Sequence, residues 1–517
     1  MINAACDSIT IHCESGRTET GADVQLTPTP NGFHVDLCAP ALPITQVVLR
    51  WSRPPPAGIR ILGDHWERGY GDLEWRGVVP ERVMPWYALL FDPKHETTCG
   101  LGVATGAACI ASWRIDQQGL TLVLDVRNGT RGVCLGQRTL RAATVLSLAS
   151  KSAESPFAFA RRFCQLLCPA PRLPANPVYG GNDWYYAYGR NTDAGIRRDA
   201  ALIRELSPAQ GEPPYMVIDD GWFPDLDPDG PYQRGNDRFP DMPRLAQAFK
   251  DMNVQPGIWV RPLLVAKATN GCCLPARHPV WKRLADKVVL DPSVPEVLQR
   301  VRDDISRMRA WGYTLIKHDF TTFDLTGRWG FEMTDGLLSS SDWHFADQSR
   351  TTAEIIRDLY QAIREAAEDV TLIGCNTIGH LGAGLFELQR TGDDTSGQEW
   401  ERTRKMGVNT LAFRMAQHNA FFAVDADCVG LTRQVPWALN RQWLELLAAS
   451  GTPLFVSAEP AAVGPEQRAA LKDAFAHAAT VQPVAEPLDW LETTCPRHWQ
   501  LGHKSQTFAW QPTASAI

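Results

Sequence analysis

The stretch Tyr313-Thr314-Leu315-Ile316-Lys317-His318-Asp319 is a short apolar run that ends on a cation and a carboxylate. Within it Tyr313–Lys317 reads as a strand, and seven further short apolar runs read likewise: Val178–Trp184, Tyr215–Asp219, Gly257–Val260, Val370–Gly374, Leu385–Thr391, Ala420–Asp425 and Pro453–Ser457. Amphipathic stretches separate them, namely Asp193–Leu206, Met242–Asn253, Val294–Trp311, Thr351–Ala367, Glu399–Gln417 and Asn440–Ala449, with Pro465–Ala478 after the last run. Strands alternating with helices pair in parallel, and eight such strands close a (β/α)8 TIM barrel. One link is irregular: Asn376 to Gly384 is too short and too glycine-rich for a full helix.

The chain on either side of these runs has a different pattern. Upstream, runs such as Gln46-Val47-Val48-Leu49-Arg50-Trp51 and Leu120-Thr121-Leu122-Val123-Leu124 alternate with turn residues, and a helical stripe first occurs at Pro156–Leu167. This predicts an N-terminal β-sandwich. A connector with Pro169, Pro171, Pro174 and Pro177 marks a boundary. Downstream of Val481, pieces such as Thr507-Phe508-Ala509-Trp510 predict a small C-terminal β domain. The expected division is 1–170, 171–480 and 481–517, an α/β barrel between two β units.

Acidic residues exceed basic ones by 58 to 51, a formal charge of −7 over 517 residues. That balance gives no basic face for nucleic acid. A hydrophobic fraction of 44% excludes disorder. The charge-free window Thr97–Trp113 is too short and too polar to span a bilayer, so no membrane association is expected. The N-terminus has neither a basic region nor an apolar one, which predicts a cytoplasmic protein without a secretory leader. The 13 cysteines have no zinc-ligand spacing and read as reduced, mostly buried thiols; no metal or organic cofactor is expected.

In a barrel of this kind the chemistry sits at the C-terminal ends of the strands. Those ends carry Asn182-Asp183-Trp184, Asp219-Asp220-Gly221-Trp222, Trp259-Val260-Arg261, Lys317-His318-Asp319, Cys375-Asn376, Arg390-Thr391-Gly392-Asp393-Asp394 and Asp425-Ala426-Asp427. Strand periodicity of two puts Lys317 and Asp319 on one side, where an ammonium would keep a carboxylate ionised, either as a nucleophile or as a plain ion pair. Asp393 and Asp394 can raise one another's pKa if they meet in space, which suits a general acid; the bland alternative is a solvated turn. Asp219 and Asp220 fit either sugar hydroxyls or a helix cap. Trp184, Trp222 and Trp259 fit either a sugar face or the core. His318 points to the opposite face and reads as packing.

In sum the barrel resembles the α-galactosidases of glycoside hydrolase family 36, in a clan shared with family 27. The matching pieces are Ile218-Asp219-Asp220-Gly221-Trp222, Pro256-Gly257-Ile258-Trp259, Tyr313-x3-Lys317-His318-Asp319-Phe320, Gly374-Cys375, Arg390-x3-Asp394-Thr395 and Asp425-x-Asp427-Cys428. The resemblance covers residues 177 to 460, and the flanking β units fit the family's three-part plan. It implies Asp319 as nucleophile and Asp394 as acid/base, with Asp393 the competing choice. It also implies Asp219 and Asp220 as the grip on the sugar hydroxyls, and Lys317, Arg390, Cys375, Trp184 and Trp259 as the sugar pocket. The family brings in a tryptophan from the N-terminal domain, and Trp66 lies where that would come from. The departures are Asn376-Thr377 after the cysteine in place of a small residue, Val424 in place of asparagine, and the added cation Arg261.

The implied reaction is retaining hydrolysis of a terminal α-linked galactose by double displacement, on a small carbohydrate substrate, with homo-oligomers common in the family. The rivals are a transglycosylase of the raffinose-synthase type and enzymes for related sugars, α-N-acetylgalactosaminide or β-L-arabinopyranoside. Two further rivals are a Schiff-base lyase using Lys317, which needs a neutral amine, and a sugar-binding pseudoenzyme, which would normally lack a carboxylate at 319 or 394.

Overall fold

The computed structural model describes residues 2–18, 20–225, 231–266, 272–284, 287–333 and 341–511. The ends of the expected β units at residue 1 and residues 512–517, and four stretches within 171–480, lie outside the described residues.

Nine parallel strands form the central sheet: β1 Tyr179–Asn182, β2 Tyr215–Ile218, β3 Gln255–Val260, β4 Leu315–His318, β5 Thr371–Gly374, β6 Leu388–Arg390, β7 Ala423–Asp425, β8 Cys428–Leu431 and β9 Leu454–Ala458. Their order is β7-β6-β5-β4-β3-β2-β1-β9-β8. The two edge strands are therefore neighbours in sequence, separated only by Ala426 and Asp427, so the sheet curls until its edges meet. The run expected at 420–425 holds β7, and β8 beyond it is a ninth strand that the sequence reading did not include. The break is at Asp427, whose φ of +73° lies in the left-handed region that non-glycine residues rarely occupy. Upstream of the break the chain pairs with β6, downstream with β9.

β1, β2 and β6 stop earlier than their expected runs, while β4 and β9 extend one residue further. At β1 the Asn182 side chain accepts the Trp184 N–H at 2.8 Å, which turns the chain into the short helix Trp184–Ala187. Val217, Leu315, Ile373, Leu388 and Phe455 pack together as one buried cluster. A second, larger core includes residues of the helices around the sheet. Asp193–Leu206 is a helix over its expected span, started by the Thr192 hydroxyl on the Gly195 N–H, and Thr352–Ala367 is started by a reciprocal Thr351–Glu354 capping box. The irregular link after β5 holds only the one-turn helix Gly379–Gly382. The expected helix Glu399–Gln417 is helical from Trp400 to Gln417, with a wider π turn at Arg404–Asn409 and a tighter last turn at Met415–Gln417.

Upstream, two six-stranded antiparallel sheets are present. Inward-facing residues such as Val47, Leu49, Trp51, Phe33 and Val35 are wholly buried. Phe33 on one sheet meets Trp51 on the other with ring centroids 6.1 Å apart. The segment 64–83 crosses from the strand Arg60–Gly63 to the strand Met84–Pro85, and it leaves the sheets to reach β6. There the Gly69 N–H donates to the Thr391 carbonyl at 2.8 Å, and the Asp393 N–H donates to the Gly69 carbonyl at 2.9 Å. A side chain at 69 would lie 2.3 Å from Thr410, so only glycine permits this approach. Arg414 staples the segment from behind, with its guanidinium on Asp64 and on the carbonyls of Glu67 and Thr391. Downstream, Glu486–Pro487, His498–Leu501 and Lys504–Thr507 form a three-stranded antiparallel sheet. Among the described residues no helix is long and apolar enough to cross a membrane.

Candidate active site

The C-terminal ends of the parallel strands open on a cavity of about 370 Å³. Its lining includes Asp219, Asp220, Trp184, Trp259, Lys317, Asp319, Asp393 and Asp394 from the strand ends. These residues, singled out by sequence, are brought together on one surface.

Asp319 lies one residue past β4. Its Oδ1 accepts the Phe320 N–H at 2.6 Å and its Oδ2 accepts the Trp259 indole N–H at 3.1 Å. Phe320 has a φ of +63°, and this turn folds its own N–H back onto the carboxylate. The expected pairing of Lys317 with Asp319 is not what the structure holds. The ammonium donates instead to Asp219 at 2.7 Å, and Asn182 donates to the same oxygen at 2.6 Å. Burial would lower the Lys317 pKa, but the Asp219 carboxylate outweighs it and the group lies well above its ordinary value. A neutral amine for Schiff-base chemistry is therefore disfavoured.

Asp219 also accepts the Asp220 N–H, while its own N–H donates to Asp183. Burial, with the charge of Asp219 added, pushes Asp183 up to about 7 and Asp220 up to about 6.

The β6 end holds the adjacent pair. Asp393 Oδ1 meets Arg68 at 3.2 Å and Oδ2 meets Arg402 at 2.9 Å, so both of its oxygens are engaged. Asp394 Oδ1 takes Arg390 at 3.1 Å and Arg68 at 3.5 Å, while among the described residues its Oδ2 has no partner. Burial pushes Asp393 up, and the charge of Asp394 adds to that against Arg68. Burial also works to raise Asp394, but Arg390, Arg68 and Lys317 together hold it below the usual carboxylate range. Arg390 is buried behind the pair, with Asp427 at 3.0 Å and the Cys375 sulfur at 3.8 Å. Cys375 and Arg390 therefore support the cavity from below without lining it.

Three positions read from sequence are placed in packing. Trp222 is wholly buried and donates its N–H to the Trp259 carbonyl. His318 is wholly buried against Phe386 and Tyr360, and burial pushes its imidazole down to about 3. Trp66 is buried, donates to the Met333 carbonyl at 3.0 Å, and does not line the cavity.

Its near neighbours Arg68 and Tyr70 do line it, with Phe320, Trp329, Phe331 and Arg402. Sequence reasoning missed all six. The only signal was position: 68 and 70 follow Trp66, and 320 to 331 follow Asp319. Asn376, the residue that departs from the family pattern, donates to Glu67 at 2.6 Å and so holds this N-terminal segment. Arg261, the added cation, pairs with fully buried Asp324 at 2.5 and 3.0 Å and lies 4.1 Å over the Phe320 ring. Among the described residues no group of three or more His, Cys, Asp or Glu side chains is arranged to hold a metal ion.

No family model matches the sequence, and no curated protein matches it. Solved structures do. An α-galactosidase from Thermus thermophilus in complex with p-nitrophenyl α-D-galactopyranoside superposes with a TM-score of 0.62 at 18% identity, over 97% of this chain and 98% of that one. The family 36 α-galactosidase AgaA from Geobacillus stearothermophilus gives a TM-score of 0.59 at 14% identity, over 90% of this chain and 74% of that one. The chain has the fold of the family 36 α-galactosidases.

Proposed function

We propose that the protein is a retaining glycoside hydrolase that releases terminal α-linked galactose. The observation that carries this reading is the pair Asp319 and Asp394 on one cavity, Asp319 held by two N–H donors and Asp394 keeping one oxygen free. The printed ligand of the Thermus structure supports the choice of sugar. In this reading the architecture is a (β/α)8 barrel, 171–480, between an N-terminal β-sandwich, 1–170, and a C-terminal β unit, 481–517.

Asp319 attacks the anomeric carbon as the Asp394 carboxyl gives its proton to the departing oxygen, leaving a glycosyl ester on Asp319. Asp394, now ionised, takes a proton from water, which attacks the ester and restores both groups. Asp393 is the poorer candidate because both of its oxygens are already bonded. Arg390 and Arg68 make Asp394 a stronger acid and a weaker base, which places the optimum on the acid side of neutrality. Asp220 and the Lys317-held Asp219 face the sugar hydroxyls, and Trp184 and Trp259 flank the ring.

The test is hydrolysis of p-nitrophenyl α-D-galactopyranoside with the product anomer followed by proton NMR. Wild type is expected to release the α-anomer first. Asp319→Ala is expected to lose turnover while remaining folded, and Asp394→Ala is expected to form an α-galactosyl azide when azide is added. A β-anomer as first product, or full activity in Asp319→Ala, overturns the reading.

A further inference from the structure

We propose that Arg68 is a positioning residue that keeps Asp394, rather than Asp393, as the carboxylate that exchanges the proton, and that Glu67 holds Arg68 in place for it. This rests on the retaining mechanism proposed above. The Arg68 guanidinium lies between the two carboxylates, 3.2 Å from Asp393 and 3.5 Å from Asp394. It occupies one oxygen of each. Because Arg402 takes the second oxygen of Asp393, only Asp394 is left with an open one.

Arg68 is not anchored by the sheet it serves. Its side chain is 5% exposed and its Nε is 3.4 Å from Glu67, whose side chain is wholly buried. Glu67 is in turn fixed by three groups: Asn376 after β5 at 2.6 Å, the Gly330 N–H at 3.1 Å, and the Tyr70 hydroxyl. The carboxylate paired with the arginine thus also ties the N-terminal segment to the strand ends, although among the described residues Arg68 Nε itself makes no hydrogen bond. The Arg68 guanidinium carbon lies 6.0 Å from the Tyr70 ring centroid and 5.8 Å from that of Trp329, which closes off solvent.

Charged and titratable groups reach Asp394 from several elements: Arg390 and Asp393 from its own segment, Lys317 from β4, Asp427 from between β7 and β8, and Tyr185 and Tyr188 from the chain after β1. Asp219, Asp220, Asp319, Tyr70 and Arg402 line the same cavity. Arg390 is already paired with Asp427, and Lys317 with Asp219. Arg68 is therefore the cation whose removal changes the balance between the two aspartates. A cation at this distance lowers a carboxylate pKa, so its loss raises the pKa of Asp394. In the first step Asp394 acts protonated, so the alkaline limb of kcat/KM moves to higher pH. Glu67→Gln acts with the opposite sign, because it removes the negative charge that offsets Arg68.

The experiment is the pH profile of kcat/KM on p-nitrophenyl α-D-galactopyranoside for wild type, Arg68→Met, Arg68→Lys and Glu67→Gln. Beside it the Asp394 carboxyl carbon is titrated by carbon-13 NMR, its signal identified by its loss in Asp394→Asn. Arg68→Met is expected to raise the alkaline limb and the NMR midpoint by about one pH unit. Glu67→Gln is expected to lower both, and Arg68→Lys to return both toward wild type. Limbs and midpoints that stay fixed in Arg68→Met and Glu67→Gln, whatever the loss of rate, overturn the proposal and leave a latch only. If wild type does not cleave the galactoside, the functional reading fails, while the NMR titration still decides the role of Arg68. Should Arg68→Met not fold, the Glu67→Gln and Arg68→Lys titrations decide it.

Discussion

The floor of the cavity and its mouth are built by opposite means. The floor is made of strand ends: Lys317 on Asp219, Arg390 on Asp427, Cys375 beneath. Its charges are buried and each has a counter-charge within hydrogen-bond distance. The mouth is made of long connections: Arg68 and Tyr70 from an N-terminal segment, Trp329 and Phe331 from the stretch after β4, Arg402 from the helical stretch after β6. Phe331 is 59% exposed there. The contrast teaches that stability resides in the floor, while what enters and leaves is decided at the mouth, where exposed residues such as Phe331 can be replaced cheaply.

The comparison breaks first, and most strongly, at the floor. Lys317→Met leaves Asp219 buried without its cation. It should cost about 3–5 kcal/mol in urea unfolding and abolish turnover. A loss under about 1 kcal/mol would show that the floor is not the rigid part. Arg261→Met tests the support just behind, where Asp324 is fully buried. About 3 kcal/mol should be lost, since the removed partner leaves an unpaired charge.

An effect that is smaller for each residue per pH unit comes from the protonation of packing imidazoles. Burial pushes His278 and His380 down to about 4, and His318 and His418 down to about 3. They stay neutral in the fold but charge in the unfolded chain below about pH 6.5. Their contribution is therefore complete above that pH and is lost as pH falls toward 4. Each should remove on the order of 1 kcal/mol per pH unit in that window. Urea midpoints between pH 7 and 4.5 read the effect, and a flat profile would contradict it. The smallest effect belongs to the mouth. Phe331→Ala should change stability by less than about 0.5 kcal/mol. It should raise KM about threefold for an aryl galactoside, from lost ring contact. A large loss of stability there would erase the distinction.

The same division separates what sequence revealed from what it hid. Strand ends were legible because apolar runs of this length, alternating with amphipathic helices, leave few topologies. That places Asp219, Asp220, Asp319, Asp393 and Asp394 at the strand ends, while the choice of Asp394 over Asp393 follows only from the family resemblance. The pairing of Lys317 was misread because period two gives the side of a strand but not the neighbour across it. That neighbour is Asp219, from a strand β4 does not touch. The Glu399–Gln417 stretch has a helical pattern, but its middle is widened where Gly407 is pressed against Trp443. Arg68 and Tyr70 were invisible because the loop that carries them reaches the site only through tertiary contacts such as Gly69 with Thr391. No local periodicity encodes such a contact.

The pairing of the first strand with the last also governs how the molecule is made. The last ladder joins β1 to β9, in register Tyr179 with Leu454. Closing it brings together chain segments far apart in sequence, an entropic toll that slows assembly. Asp427, at the seam between β7 and β8, accepts from Arg390, Thr395 and Tyr185 across it. Arg390, behind the cavity, thereby becomes part of the fastening between the two edge strands. During refolding, recovery of enzymatic competence should trail the return of helical signal, because the site exists only once the final stave is seated.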